Sequence, residues 1–176
     1  MVPCIAHLKK LLFIIIIPLM TLACQEDCCT NIDSGFDFDV RDSQGQSLLD
    51  PSTPNAYLAS QIDIYYLIDG EKKRVYNSMM DMPENFSIRP HEITNEYLMN
   101  LDPNITGRPT TSVTYIQWNE QDTDTITCEF AVSEQSIITT RIIYNRQEVW
   151  SVADAPDPKY PYERYFVVHK PSVNAD

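Results

Sequence analysis

The sequence predicts an all-β protein, an antiparallel β-sandwich preceded by a cleaved signal peptide. Three observations predict it. Apolar residues recur with period two in one segment after another. Turn signals separate these segments at regular spacing. No window of about a dozen residues carries a helical stripe. About eight or nine strands in this arrangement imply a sandwich, with a closed barrel as the alternative.

In chain order, Phe36, Phe38 and Val40 alternate with Asp37, Asp39 and Arg41, which places the two aspartates on a solvent face. Leu48–Asp50 and Ala56–Ser60 fit short helical turns. Ile62, Ile64, Tyr66 and Ile68 form the next stripe. Asp69-Gly70 turns the chain and Lys73–Tyr76 returns, so residues 62–77 read as a hairpin. Phe86–Arg89 and Glu96–Leu101 are short strands on either side of Pro90-His91. Ser112–Trp118 alternates again. Ile126, Cys128, Phe130 and Val132 then lie opposite Thr125, Thr127 and Glu129. The β-branched run Ile137–Tyr144 turns at Asn145-Arg146-Gln147 into Glu148–Val152. Three prolines make Ala155–Pro161 a loop, and Tyr165–His169 is the last strand.

The chain has 176 residues, with 13 Lys+Arg against 25 Asp+Glu. Residues 24–176 keep 11 basic and 25 acidic side chains, a net charge of −14. That charge argues against nucleic acid as a partner, because phosphate binding needs a basic face. Four glycines leave little for phosphate-cradling loops. The apolar share of 43% and the length support one domain with a buried core.

The N-terminal segment has a basic start at His7, Lys9 and Lys10. An apolar stretch, Leu11–Met20, follows and is too short for the ~20 residues of a spanning helix. Leu22-Ala23-Cys24 resembles the lipobox of bacterial lipoproteins. The resemblance implies cleavage between Ala23 and Cys24, a diacylglycerol thioether on Cys24, and acylation of the new amine, with palmitate as an expected chain. Several acyl chains, at about 0.8 kcal/mol per buried CH₂, hold a protein stably on a membrane. Gln25, Glu26 and Asp27 resemble the acidic export signal of Bacteroidota lipoproteins, which implies the cell surface. The resulting organisation is a lipoprotein signal peptide (1–23), an acidic tether (24–34), a β-sandwich domain (35–170) and a C-terminal tail (171–176). The implied location is the outer membrane, lipid-anchored and surface-exposed, with a periplasm-facing orientation as the alternative.

The segment from Phe38 to Pro51, FDVRDSQGQSLLDP, followed by the Asp69-Gly70 hairpin, resembles the first strands of small Bacteroidota outer-membrane lipoproteins. The likeness runs from about residue 35 to 77. It implies an immunoglobulin-like or transthyretin-like sandwich and no activity.

The chemistry-bearing residues form no recognised catalytic motif. Cys28, Cys29 and Cys128 remain after Cys24 is acylated. An oxidising compartment permits a bridge from Cys28 or Cys29 to Cys128, and a small apolar role in a strand stripe is the other reading of Cys128. His91 and His169 are isolated and lack the spacing of a zinc site. Asp37, Asp39 and Asp42, and the pair Asp122 and Asp124, are oxygen-rich enough for calcium, but solvation explains them without an ion. No cofactor and no metal are expected. Asp124-Thr125-Ile126 resembles the Bacteroidota O-glycosylation pattern, with Thr125 as the acceptor. Aromatics concentrate late in the chain at Trp118, Trp150, Tyr160, Tyr162 and Tyr165. Trp118 and Trp150 fit packing inside the sandwich or at its edge. Trp150, Tyr160 and Tyr162 are the candidate partner contacts.

The functional expectation is a membrane-tethered, non-enzymatic binding or accessory module that meets a glycan or a protein. The alternative is a structural subunit of an envelope or pilus-like assembly that pairs strands with another chain.

Overall fold

The computed structural model describes residues 31–154, 156–160 and 164–171, all within one compact unit, Asn31–Asp176. The leader, the lipidation candidate Cys24 with Ala23, the cysteines Cys28 and Cys29, and Tyr162 lie outside the described residues. Eleven strands are present among the described residues: β1 (Asn31–Asp33), β2 (Phe36–Arg41), β3 (Asp63–Ile68), β4 (Glu71–Arg74), β5 (Phe86–Pro90), β6 (Tyr97–Leu101), β7 (Thr111–Gln117), β8 (Thr123–Val132), β9 (Ser136–Tyr144), β10 (Gln147–Ser151) and β11 (Tyr165–His169). One 3₁₀ turn, Ala59–Gln61, is the only helical element among the described residues. None of these residues forms a helix long and apolar enough to cross a membrane.

The strands form two sheets. One runs β1-β9-β8-β7-β3-β4, with β10 also paired to β9, and the other runs β11-β2-β6-β5. They pack face to face as a sandwich. Phe36, Phe38, Val40, Met99, Leu101, Phe166 and Val168 of the smaller sheet meet Ile64, Ile116, Ile126, Cys128, Phe130, Ile142 and Tyr144 of the larger one in a single core. Phe38 and Phe166 stack with centroids 5.1 Å apart and planes 2° from parallel. Cys128 is fully buried there and makes no disulfide among the described residues, and burial pushes its thiol up to about 12.

The alternation pattern explains most of these placements, and a bulge explains where it changes phase. In β9, Ile137 and Thr139 point inward and so do Ile142 and Tyr144, an odd-to-even switch. Between Glu129–Arg141 and Phe130–Thr139 the pairing register shifts, leaving Thr140 as the extra residue. A second shift in β10, between Glu148 and Trp150, turns Trp150 partly inward.

Two pairings are parallel where the sequence predicts an all-antiparallel sheet. They are β11 with β2, over Tyr165–His169 and Asp37–Arg41, and β1 with β9 over Ser136–Ile138. Side-chain alternation is the same in either direction, so the pattern carries no strand polarity. The β1 residues fall inside the span assigned to the tether. They occupy the stretch of the β9 edge that β10 leaves open. Arg164 clamps the end of β1. Its guanidinium pairs with the Asp33 carboxylate, with Nη1 to Oδ1 at 2.6 Å, also donates to the Gly35 carbonyl, and lies 5.7 Å from the Trp150 ring. This hydrogen-bonded pairing holds the Asp33 carboxyl below its ordinary range.

Candidate functional site

Three places on the sandwich gather polar chemistry. The first is at the end of the β7–β8 hairpin. Asn119 Oδ1 accepts the N–H groups of Gln121 and Asp122, and the Trp118 N–H bonds the Asp122 carbonyl, so the turn is fixed from within. This presents Asp122 and Asp124 to Lys170, the residue after β11. Lys170 is only 8% exposed. Its Nζ lies 2.7 and 2.6 Å from the two Asp122 oxygens and 2.6 Å from Asp124 Oδ2. Asp124 also accepts from Trp118 Nε1 at 2.6 Å, from Tyr144 and from Asn145 Nδ2, while Tyr57 donates to Asp122 at 2.9 Å. Burial alone would raise the Asp124 carboxyl, but hydrogen bonds from Lys170, Tyr144 and Asn145 outweigh it and hold it low. Burial, reinforced by the neighbouring carboxylates, drives the Tyr57 and Tyr144 phenols far up. All of these groups therefore serve as fixed partners of one another. The ammonium occupies the position that a bound cation would take between the two carboxylates.

The second place is the outer face of the four-stranded sheet, where the structure corrects two expectations. Asp39 is not on a solvent face. It is fully buried, accepting from Arg41 Nε and Ser47 Oγ, each at 2.7 Å. Tyr160, expected as an exposed contact, is 1% exposed and packs with Leu98 and Tyr165, its ring 4.0 Å from that of Tyr165. Tyr160, from the proline-rich segment, lies over Leu98 and Tyr165 on this face, which no periodicity in β2 can report. Tyr160 donates to Glu96, and burial pushes its phenol up to about 12. Bonds from Lys159, then Tyr160, hold the Glu96 carboxyl below its usual range. Beside this patch lies a depression of about 400 Å³ whose lining includes Asp37, Arg89, His91, Glu92 and Ile93.

The third place is the outer face of the seven-stranded sheet. An open depression of about 610 Å³ is lined by Tyr115, Thr125, Thr127, Ile143, Asn145 and Arg146. Tyr115, Thr125 and Ile143 project outward because their neighbours Ile116, Asp124, Ile126, Ile142 and Tyr144 point into the core. Lys72 Nζ sits 3.8 Å from the Tyr115 ring centroid and fixes that ring. Among the described residues, no partner engages the hydroxyls of Thr125 and Thr127 or the Arg146 guanidinium. Arg146 and Asn145 both have positive φ, 72° and 47°. The Asn145 side chain supports this turn, accepting from the Thr125 N–H and donating to Asp124.

No protein-family model, curated protein or solved structure matches the chain.

Of the remaining residues singled out in the sequence, Thr125 is half-buried in mid-strand on the third surface and Trp150 is half-buried against the core beside Arg164. His91 sits edge-on to Tyr160 at 4.9 Å, and His169 is exposed at the end of β11. Sequence reasoning missed Tyr115, Thr127, Arg146, Tyr57 and Lys170. The outward half of each strand stripe was the available signal for the first two.

Proposed function

We propose that the chain is a lipid-anchored envelope protein, fastened through Cys24, that works as a non-enzymatic binding module and uses the open face of its seven-stranded sheet to contact a glycan. The Tyr115 depression carries this reading. It combines the Tyr115 ring, held by Lys72, with two hydroxyls and a guanidinium that have no partners among the described residues, arranged on a rigid sheet. Sugars are recognised by such stacking and hydrogen bonding. The Arg146 backbone supports the reading. A non-glycine residue with positive φ costs roughly 1–2 kcal/mol, and strain of this kind is retained where a side chain has work to do.

The strand-pairing alternative is less well supported. The exposed edge strand β4 is Glu-Lys-Lys-Arg, and β5 ends in Pro90, both of which discourage a further strand.

The test is a glycan array probed with the wild-type protein and with Tyr115→Ala. Retention of wild type on a set of glycans, lost in the variant, supports the reading. Equal retention of both, or none of either, overturns it. Mass spectrometry of the native N-terminus tests the anchor separately, since an unacylated Cys24 behind an intact leader would remove that half of the proposal.

A further inference from the structure

The loop between β4 and β5 carries chemistry that neither the sheet faces nor the ion-pair clusters use. It contains Met79, Met80 and Met82, three of the four methionines that follow Cys24, while the fourth, Met99, is fully buried in the core. Methionine ordinarily belongs inside. Met79 is 94% exposed and Met80 52% exposed, and all three line one depression of about 300 Å³ together with Asp81, Asn85 and Asp102.

The loop holds this arrangement through its own backbone. The Asn77 carbonyl accepts from Met80 N and Asn77 Oδ1 from Met79 N, the Met82 carbonyl accepts from Asn85 N, and Asn77 N donates to the Pro83 carbonyl. A second feature belongs to the same depression. The Asp102 carboxyl is half-buried, burial raises it above its ordinary value, and no donor engages its side-chain oxygens among the described residues. Its backbone is fully used, with N–H to the Asn85 carbonyl and C=O accepting the Tyr66 hydroxyl.

Three thioethers beside an unpaired carboxylate are a soft donor set with one charge-balancing oxygen. Thioether sulfur selects soft monovalent metals such as Cu(I) over Zn(II), Mg(II) or Ca(II). Three rotatable bonds in each methionine let neighbouring sulfurs converge on one ion without moving the backbone. We propose that Met79, Met80 and Met82, with Asp102 in the lining of the same depression, form a binding site for a soft monovalent metal ion of the Cu(I) class. No His, Cys or carboxylate spacing marks such a site, because its main donors are methionines, residues ordinarily found in a core.

The test uses the full chain with methyl-¹³C methionine, its accessible thiols blocked by N-ethylmaleimide, titrated with Ag(I) as an air-stable probe. The expected result is saturable movement of the Met79, Met80 and Met82 methyl resonances at one equivalent, with Met99 unmoved and Zn(II) without effect. Replacing all three by leucine, a volume-conserving change at two exposed positions and one half-buried one, should abolish saturable binding and leave the thermal transition nearly unaltered. Absence of saturable shifts, equal response to Zn(II), or unchanged binding in the leucine variant would each overturn the proposal.

Discussion

Lys170→Met keeps an apolar stem of similar length and deletes the charge. Its ammonium touches three carboxylate oxygens, two on Asp122 and one on Asp124, at 2.6–2.7 Å. Removing one partner of a buried ion pair costs about 3–5 kcal/mol, because the other charge is left uncompensated. The side chain of Asp122 is 32% exposed, and Asp124 retains Trp118, Tyr144 and Asn145 as donors. Both facts place the loss at the lower end, about 3 kcal/mol. For a domain of this size that corresponds to roughly 10 °C in Tm. The pH dependence is the sharper signature. The folded Asp124 carboxyl lies below its unfolded value of about 3.9, so its contribution is complete above that pH and is lost as pH falls through the folded pKa. In the variant the carboxylates are a liability at neutral pH that protonation relieves. The gap between wild type and variant should therefore narrow as pH falls from 7 toward 4. Urea unfolding followed by tryptophan fluorescence measures both quantities. A loss below about 1 kcal/mol, the range of an exposed pair, or a gap independent of pH, would refute the assignment of Lys170 as the buried counter-ion.

Three further outcomes are expected. Thr114→Val should stabilise the protein by about 1 kcal/mol in the same unfolding assay, because the buried Thr114 hydroxyl has no hydrogen-bond partner among the described residues. Arg146→Gly should raise stability by roughly 1 kcal/mol through relief of its φ of 72°, while lowering glycan retention on the array. Tyr160→Phe should cost about 1 kcal/mol by removing the hydroxyl shared with Glu96 and Thr94, seen as a lower urea midpoint with an unchanged slope.

Most strands were legible because they bury one face, and a half-buried strand writes its environment into every second residue, whereas β1 and β4 are exposed throughout and carry no such stripe. Asp69-Gly70 and Asn145 were legible as turn residues because positive φ selects few residue types, and all three have it, whereas the positive φ of Arg146 has no such signal. What alternation cannot carry is anything decided by a distant segment. Asp39 looks solvated until the loop bearing Tyr160 is laid over it. The parallel partners of β2 and β9 come from opposite ends of the domain, and nothing in either stripe names them. Lys170 reads as an ordinary surface lysine, yet its role depends on a hairpin 48 residues earlier in the chain. The third surface escaped notice for the opposite reason, since its residues are the outward half of stripes whose inward half drew the attention.

The short parallel strand at the start of the domain has a mechanical consequence. Tension applied at the N-terminus would meet Asn31–Asp33 and the Arg164 grip before it reached the aromatic interior. Peeling those residues would release roughly 10 Å of slack and leave both sheets intact. A pull on the N-terminus would thus spend itself first on this short strand, as on a sacrificial fuse.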